Sequence, residues 1–224
     1  MIKIENVDVY GWIAAIRGAR NPMNSWNQSD TSYGLGEDYL ADMEIGPRDL
    51  KLLRNLSNAG PDHGKFLRMI TVTLDITAPL YWWKEFDTYK VGTVANSCST
   101  MHKIHAKPFE PDDFSHEHLD QFGSNLLGQI IRFLNYHREE FIKTKDKHHW
   151  WQMIQMLPSS YNQRRTVHLN YAVLKTMYHA RKHHKLDEWR EFCRWVETLP
   201  YASELITNQE ATTNYDQSGI ENNH

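Results

Sequence analysis

Two residues that could bind a ligand lie in the segment YNQRRTVHLNYAVLKTMYHAR, where Asn170 and Arg181 are eleven positions apart. In one continuous helix their side chains would lie about 20° apart around the axis and about three turns apart along it. Leu174 and Met177 would lie roughly between them. Such a face suits a flat heterocycle, which the polar ends would hydrogen-bond and the apolar middle would stack against. The alternative, which geometry alone favours, is a core-facing side whose polar ends emerge into water.

A second candidate is the stretch from Glu85 to Lys103, EFDTYKVGTVANSCSTMHK, which is rich in small polar residues. Its central hydroxyl and amide side chains are those of Asn96, Ser97, Ser99 and Thr100. Hydroxyls, backbone N–H groups and a lysine such as Lys90 can together hold a phosphate group. The alternative is a Ser/Thr-rich turn that caps the next element, which is common in proteins.

Cys98 lies in the middle of this stretch and carries a thiol that could act as a nucleophile. His102 is close enough in sequence to activate it. A cysteine among small residues more often simply packs, however, and we expect Cys98 to do so. We also expect no metal site, because His116 and His118 do not share a helical face and no matching ligand set is spaced elsewhere.

Composition favours a soluble globular protein with one domain over residues 1–205. The chain has 224 residues, 40% apolar and 24% charged, and its net charge of −3 creates no basic field for a nucleic-acid polymer. Two cysteines are too few for a disulfide scaffold, and no apolar run could span a bilayer. The first residues, MIKIENVDVYGW, lack the apolar centre of a signal peptide. We therefore expect a cytoplasmic location, and a disordered polar tail over residues 206–224.

The clearest predicted element is the strand in MITVTLDITAP, where apolar and polar residues alternate from Ile70 to Thr77. Pro79 suits the first turn of a helix and predicts one over Leu80 to Phe86. Upstream, IKIENVDVYG predicts a strand, and a short helix follows that ends at Asn21-Pro22. Leucines at helical spacing predict another helix from Arg48 to Asn58.

Helices dominate the second half of the predicted fold. Apolar residues at helical spacing predict a long core helix from His118 to Lys143. A second helix is predicted from about Tyr161 to His183, and a third from Leu186 to Glu197. The pattern as a whole predicts an α+β fold, in which a small antiparallel sheet packs with long helices.

Taken together, these segments resemble the flavin-dependent thymidylate synthases. NAGPDHGKFLRMITVTLDITAP resembles the family's Gly-His-x-x-x-x-Glu-His segment, which a strand and a proline follow. His63 matches the first histidine, whereas Arg68 and Met69 replace the Glu-His pair. LPSSYNQRRTVHLNYAVLKTMYHAR resembles the family's C-terminal helix. Within it, Asn170 matches the asparagine that touches flavin, and Arg181 matches the arginine that holds the pyrimidine.

The family's signature is Arg-His-Arg followed by Asn-Glu-Gln-Ser-x-Arg-Tyr, and it falls on the stretch from Glu85 to Lys103. The spacing of the signature positions is kept, but other amino acids occupy them. These are Thr88, Tyr89, Lys90, Ala95, Asn96, Ser97, Cys98, Thr100 and Met101. Glu85 itself stands where the family has a glutamine, and Ala172 stands where it has a further arginine. The cations that could compensate for the lost arginines are Lys90, Lys103, Arg164 and Arg165.

The resemblance implies an enzyme that methylates dUMP to dTMP. NADPH would reduce bound FAD, and the flavin would carry the one-carbon unit from methylenetetrahydrofolate to C5 of dUMP and supply the hydride. Arg181 would be the catalytic residue, since it would stabilise negative charge on the pyrimidine. The implied flavin-binding residues are His63, Tyr89, Lys90, Asn96 and Asn170. The implied substrate-binding residues are Glu85, Thr88, Ser97, Cys98, Ser99, Thr100 and Arg181.

The implied assembly is a homotetramer with FAD sites at the subunit junctions. Two other interpretations stay open because the signature is so altered. One is a flavin- or nucleotide-binding relative that acts on a different pyrimidine nucleotide. The other is a non-catalytic homologue that serves in binding or assembly. A resemblance in fold does not decide between them, because function depends on the site.

Overall fold

The computed structural model of the protein describes residues 2–32 and 43–208. This part of the chain forms four strands and seven α-helices, joined by short 3₁₀ and π segments. In chain order the strands and helices are β1 (Lys3–Tyr10), α1 (Trp12–Arg20), α2 (Pro47–Asn58), β2 (Thr71–Pro79), α3 (Leu80–Phe86), β3 (Val94–Ser97), α4 (Gln121–Thr144), α5 (Lys147–Met156), β4 (Asn162–Asn170), α6 (Tyr171–Arg181) and α7 (Asp187–Glu197). The fold is α+β, as the sequence predicted.

The four strands form one antiparallel sheet in the order β1-β2-β4-β3. β2 and β4 are the central pair, and their register runs from Thr71 opposite Asn170 to Pro79 opposite Asn162. The short strand β3 is an edge strand that pairs with only part of β4. The prediction of a small antiparallel sheet packed with helices is therefore confirmed.

β2 and α3 follow the sequence pattern closely. The alternating apolar residues of β2 are fully buried, from Val72 to Ile76. Pro79 ends the strand and is the N-cap of α3, so the helix starts where the proline predicted it. α3 then buries Trp82 and Trp83, both of which are at most 1% exposed.

The helix predicted from about Tyr161 to His183 is wrong in its first half, where the chain forms β4. Val167 and Leu169 are buried, and the polar residues next to them in sequence face outward until the strand ends. Burial that alternates with a period of two is typical of a strand, and β2 pairs with β4 along its whole length. The helix α6 starts only after Asn170, which caps it.

The interior of α6 does not form a ligand-stacking face. Leu174 and Met177 are completely buried in the main core. The hypothesis that they stack on a heterocycle is therefore wrong, because no ligand can reach them. The alternative is correct for this helix: its middle faces the core, while its polar ends, Asn170 and Arg181, approach the surface.

The long helix α4 begins at Gln121 rather than at the predicted His118, and it packs mainly on α5 in a smaller apolar cluster. Its buried apolar residues are Leu127, Ile131 and Leu134. Phe122 is 78% exposed and Leu126 is 48% exposed, although the sequence placed both in the core. Nothing in the described ranges buries this first part of α4. Neither α5 nor β3 was predicted.

The main core lies between the sheet and the helices α1, α2, α3, α6 and α7. At its centre Trp82 contacts Trp83, Phe86, Trp189 and Phe192, with ring centroids 4.8 to 5.8 Å apart. Replacing one such buried aromatic residue with alanine typically costs about 3–5 kcal/mol. This packing fixes α3 against α7, and so fixes the residues that follow α3 relative to the end of α6.

The described chain continues beyond residue 205, where the predicted domain ended. Ser203–Thr207 form a short π-helical segment whose Ile206 is completely buried. The rest of the predicted tail, residues 209–224, lies outside the described residues. Within the two described ranges, no helix has the length and apolar character needed to cross a membrane.

Candidate functional site

A cavity of about 400 Å³ opens where β4 passes into α6. Its walls come from three parts of the chain: residues 88–92 after α3, Asn170 with the first turns of α6, and Arg68 just before β2. None of the described residues that line it is an aspartate or a glutamate. The volume lies within the range of small-molecule sites, about 300–1,000 Å³.

Asn170 contributes a buried amide to this cavity. It is 9% exposed, and its Oδ1 accepts a hydrogen bond from the backbone N–H of Val173 at 3.1 Å. Since that N–H group can only donate, the bond fixes which end of the amide is oxygen. No acceptor in the described parts of the chain takes the protons of Nδ2. Nδ2 is not sealed from solvent, so it can donate to water or to an oxygen atom of a ligand in the cavity.

Gly92 forms the wall next to this amide. Its φ of 78° lies in the left-handed region, which glycine adopts without steric cost. A Cβ atom at this position would lie 2.7 Å from Nδ2 of Asn170, closer than non-bonded atoms normally approach. A larger residue would therefore strain the turn and displace the amide.

Arg181, the last residue of α6, lies beside the cavity. Its Nε donates to the hydroxyl of Tyr89 at 2.9 Å, and Tyr89 lines the cavity. Its guanidinium carbon also lies over the ring of Trp189, 5.1 Å from the centroid. A cation–π contact of this kind contributes about 0.5–1 kcal/mol at an exposed site. Two aromatic side chains thus hold Arg181, which is not itself in the lining, and one of them, Tyr89, is a lining residue.

Glu85 joins Arg181 to α7 and to the turn before it. Its Oε2 accepts a hydrogen bond from Nε1 of Trp189 at 2.7 Å and lies 3.4 Å from Nη1 of Arg181. Nε2 of His184 is 3.5 Å from the same oxygen. Nδ1 of His184 accepts from the backbone N–H of Leu186, so the neutral ring carries its proton on Nε2, which faces Glu85.

The cations near the sheet fall into two groups. Arg164 and Arg165 each form an ion pair with an aspartate at 2.7 Å. Arg68 and Lys90 line the cavity, and neither has an ion-pair partner in the described ranges. Of the cations predicted to compensate for the lost arginines, Lys90 is the one at the cavity, since Lys103 is not in its lining either.

The structure brings together half of the residues predicted for the site. Those that line the cavity are Thr88, Tyr89, Lys90 and Asn170. Glu85 and Arg181 adjoin it through their contacts with Tyr89 and with each other. Those that lie outside its lining are His63, Asn96, Ser97, Cys98, Ser99 and Thr100.

The edge strand β3 explains this division. Val94 lies opposite His168 and Ser97 opposite Arg165, so the chain runs along β4 away from Asn170. The five residue steps along β4 from Asn170 to Arg165 span about 17 Å. Within one chain, only the first part of the stretch from Glu85 to Lys103 reaches the cavity. The roles that the resemblance implies for the later part remain predictions.

The two cysteines lie in different surroundings. Cys98 is exposed, and its hydrogen bonds come from its backbone, which pairs with the carbonyl of Arg164 and the amide of Gln163. Cys193 is buried, and burial raises the pKa of its thiol to about 12. Among the residues that the structure describes, no three His, Cys, Asp or Glu side chains are placed to hold a metal ion.

A second cavity, of about 180 Å³, lies beside α1 and is lined in part by Arg20. Nε of Arg20 donates to Asp49 at 2.6 Å in the buried interior. Although burial raises the pKa of Asp49, hydrogen bonds from Ser29, Thr31 and Arg20 hold it below its ordinary value. These charges satisfy each other, which is typical of a structural ion pair.

Sequence reasoning missed the roles of Arg68, Gly92 and Trp189 at the candidate site. The sequence did contain a signal for Arg68, because this arginine stands where the related family's segment has a glutamate. For Gly92 the signal was its place in a turn between predicted elements. The contact of Trp189 with Glu85 joins residues 104 positions apart, and no local pattern predicts it.

No protein-family model and no curated protein matches the sequence. Solved structures do match. Thymidylate Synthase X (ThyX) from Helicobacter pylori, with FAD and dUMP, aligns with a TM-score of 0.68 and 15% identity over 92% of this chain and 98% of that chain. The UMP/dUMP methylase PolB from Streptomyces cacaoi, bound with 5-Br dUMP, aligns with a TM-score of 0.64 and 15% identity over 92% and 95%. The resemblance inferred from the sequence is thus confirmed at the level of the fold.

Proposed function

We propose that the protein is a cytoplasmic enzyme that binds FAD and dUMP around this cavity and methylates dUMP to dTMP, with methylenetetrahydrofolate and NADPH as co-substrates. The observation that carries the proposal is the lining of the cavity, where the described residues include two cations without an ion-pair partner, one amide with an available donor and no carboxylate. Such a lining favours an anionic ligand with exposed oxygen atoms. The fold is shared with a synthase whose structure holds FAD and dUMP.

The residues at the cavity fit part of a flavin dinucleotide. Nδ2 of Asn170 can donate to a carbonyl or phosphoryl oxygen, and Lys90 adds a positive charge. The lack of side-chain bulk at Gly92 lets a ligand approach the backbone closely. FAD is longer than one cavity of this size. The resemblance implies a homotetramer with FAD at its subunit junctions, and a second chain would then complete the site.

Arg181 would be the residue that acts on the pyrimidine. FAD, once reduced by NADPH, would supply the hydride and carry the one-carbon unit, so the protein would contribute orientation and electrostatics. Arg181 would hold the pyrimidine and stabilise negative charge on its carbonyl oxygen. Its contacts with Tyr89 and Glu85 use only some of the five N–H donors of a guanidinium, so others remain for a ligand.

Tyr89 would link the occupied cavity to Arg181. Its hydroxyl oxygen accepts a hydrogen bond from Arg181, which leaves its own proton free to be donated to a ligand. A ligand oxygen in the cavity could therefore bind Tyr89 while Arg181 stays bound on the other side. In this way the flavin and the pyrimidine would be positioned against each other.

A second candidate function is the methylation of a different pyrimidine nucleotide, or nucleotide binding without catalysis. Glu85 favours this second candidate, because a carboxylate stands where the related family has a glutamine. The carboxylate of Glu85 also already contacts Arg181 and Trp189. An ionised carboxylate can only accept hydrogen bonds, whereas a glutamine also donates them. The site would then select for a donor on the nucleotide, or would keep Arg181 occupied.

The visible absorption spectrum of the purified protein, before and after addition of FAD and then of dUMP, tests the proposal. A flavin spectrum that shifts on addition of dUMP supports a synthase, and formation of dTMP is then assayed. A shift with UMP or another pyrimidine nucleotide, but not with dUMP, favours the second candidate. Failure of added FAD to bind contradicts the proposed function.

Two glycine variants test whether the flavin uses this cavity. Gly92→Ala places a methyl group against Asn170, whereas Gly60→Ala meets no atom within 4 Å. Both glycines have positive φ, 78° and 101°, so both variants carry a similar backbone strain of about 1–2 kcal/mol. We expect Gly92→Ala to abolish FAD binding and Gly60→Ala to retain it. Equal FAD affinity in the two variants would place the flavin elsewhere.

A further inference from the structure

Arg68 enters the cavity from a part of the chain that the sequence did not assign to binding. It is the last residue of the 3₁₀ segment Gly64–Arg68, and β2 starts three residues later. It is exposed, and no acid in the described ranges pairs with it. The resemblance does not explain it, since Arg68 occupies the position of a glutamate in the related segment.

Lys90 lies in the same cavity and is also unpaired. Two positive charges in one concave site raise the local electrostatic potential, and no acid in the lining cancels it. Nδ2 of Asn170 lies in the same lining, next to Gly92. This amide has no acceptor in the described residues and is open to the cavity, so it adds a donor that is independent of the two charges.

We infer that Arg68, together with Lys90, binds a phosphoryl group of the ligand in this cavity. An arginine can bind a phosphoryl group through two parallel N–H bonds, whereas a lysine acts as a point charge. The inference rests on the proposed function and extends it, because it assigns the phosphoryl contact to a residue outside the altered signature. It also explains how the chain could retain an anion site although all three arginines of that signature are replaced.

Arg68→Gln tests the inference, with Arg54→Gln as the matched control. Arg54 is likewise exposed and forms no ion pair with any described residue, but it lies on α2 outside the lining. Binding of FAD and of riboflavin, which has no phosphoryl group, is measured by flavin fluorescence. We expect Arg68→Gln to weaken FAD binding by about tenfold or more, and riboflavin binding by less than about twofold. Arg68→Lys should restore part of the loss.

A parallel titration with dUMP and deoxyuridine identifies the source of the phosphoryl group. If the nucleotide supplies it, Arg68→Gln weakens dUMP binding and leaves FAD binding unchanged. If the flavin supplies it, Arg68→Gln weakens FAD binding and leaves dUMP binding unchanged. Unchanged affinity of the variant for both FAD and dUMP overturns the inference, while the proposed function stands.

Inorganic pyrophosphate separates a failure of the inference from a failure of the proposed function. If the wild-type protein binds neither FAD nor dUMP but binds pyrophosphate in a way that needs Arg68, the phosphoryl site stands and the proposed function falls. If pyrophosphate also fails to bind to the wild-type protein, both are overturned. Circular dichroism of each variant confirms that it is folded.

Discussion

The strand β4 contributes to two polar regions, which differ in whether their polar groups are paired with other described residues. On the open face of the sheet, Asp75 accepts hydrogen bonds from Arg164 at 2.7 Å, Thr166 at 2.5 Å and Asn6 at 2.7 Å. At the end of the same strand, Asn170 has an available donor in a cavity whose cations have no ion-pair partner among the described residues. The chain therefore pairs the charges of the first region itself, whereas the described residues leave those of the second unpaired.

This difference separates structural from functional polar groups. An exposed ion pair adds only about 0–1 kcal/mol to folding, so the network at Asp75 should affect stability modestly. Unpaired donors in a cavity add nothing to folding but can bind a ligand. Variants in the cavity should therefore change ligand binding more than stability, and variants on the sheet face should do the reverse.

The largest effect is expected for Arg181→Ala. Loss of a group that stabilises developing charge typically lowers the rate by about 10²–10³-fold, so we expect turnover or dUMP binding to be abolished in a folded protein. Arg165→Ala is the matched control, because Arg165 also lies over a tryptophan, 4.2 Å from the ring centroid of Trp83, and also pairs with an acid. Unchanged dUMP binding in Arg181→Ala would contradict the whole site assignment.

Asn170→Ala should affect both stability and binding. Loss of the N-cap costs about 1 kcal/mol of unfolding free energy, and loss of Nδ2 should weaken flavin binding by about tenfold. Asp120→Ala removes the N-cap of α4, whose side chain accepts from the backbone N–H of Gly123 at 2.7 Å. The Asp120→Ala variant should be destabilised to a similar extent, and its affinity for flavin should be unchanged. Equal flavin affinity in the two variants would remove Asn170 from the site.

On the sheet face, Asp75→Asn should change how stability depends on pH. Hydrogen bonds from Thr166, Arg164 and Asn6 hold the pKa of Asp75 below its ordinary value. A carboxyl group with a lowered pKa stabilises the fold above its unfolded-state pKa of about 3.9, and this stabilisation is lost as the pH falls towards the folded-state value.

Urea unfolding at a series of pH values between about 5 and 2 measures this effect, because the unfolding free energy of the wild-type protein should fall over that range. Asp75→Asn should lose less stability on acidification, because an amide does not titrate. Asp8→Asn, which changes an exposed aspartate with no ion pair on β1, is the control and should follow the wild-type curve. Parallel curves for all three proteins would mean that the network at Asp75 has no effect on the acid stability of the fold.

The smallest effect is expected for Cys98→Ser. The hydrogen bonds of Cys98 come from its backbone, which serine keeps, so stability and flavin binding should match the wild-type values within the error of measurement. Turnover should also be retained, because the proposed chemistry needs no protein nucleophile. Complete loss of activity in a folded Cys98→Ser protein would restore the nucleophile hypothesis.

Several elements of the fold could be predicted from local sequence patterns alone. Alternation specified β2, Pro79 specified the start of α3, and aromatic spacing specified α7. The pairing of Asn170 with Arg181 as candidates also came from the sequence, because they lie at the two ends of one apolar helical pattern. These features depend on residues close together in the chain, so their periodicity can be read directly.

Local patterns could not show which polar groups are paired within the described part of the chain. Arg164 and Asp75 are 89 positions apart, and Arg181 and Tyr89 are 92 apart. Whether a cation is paired depends on such distant contacts, and so the sequence could not show that Arg164 is occupied while Arg68 is not. The same applies to β4, which is a strand because β2 lies beside it. Pairing partners and charge neutralisation are properties of three-dimensional proximity, and periodicity along the chain does not encode them.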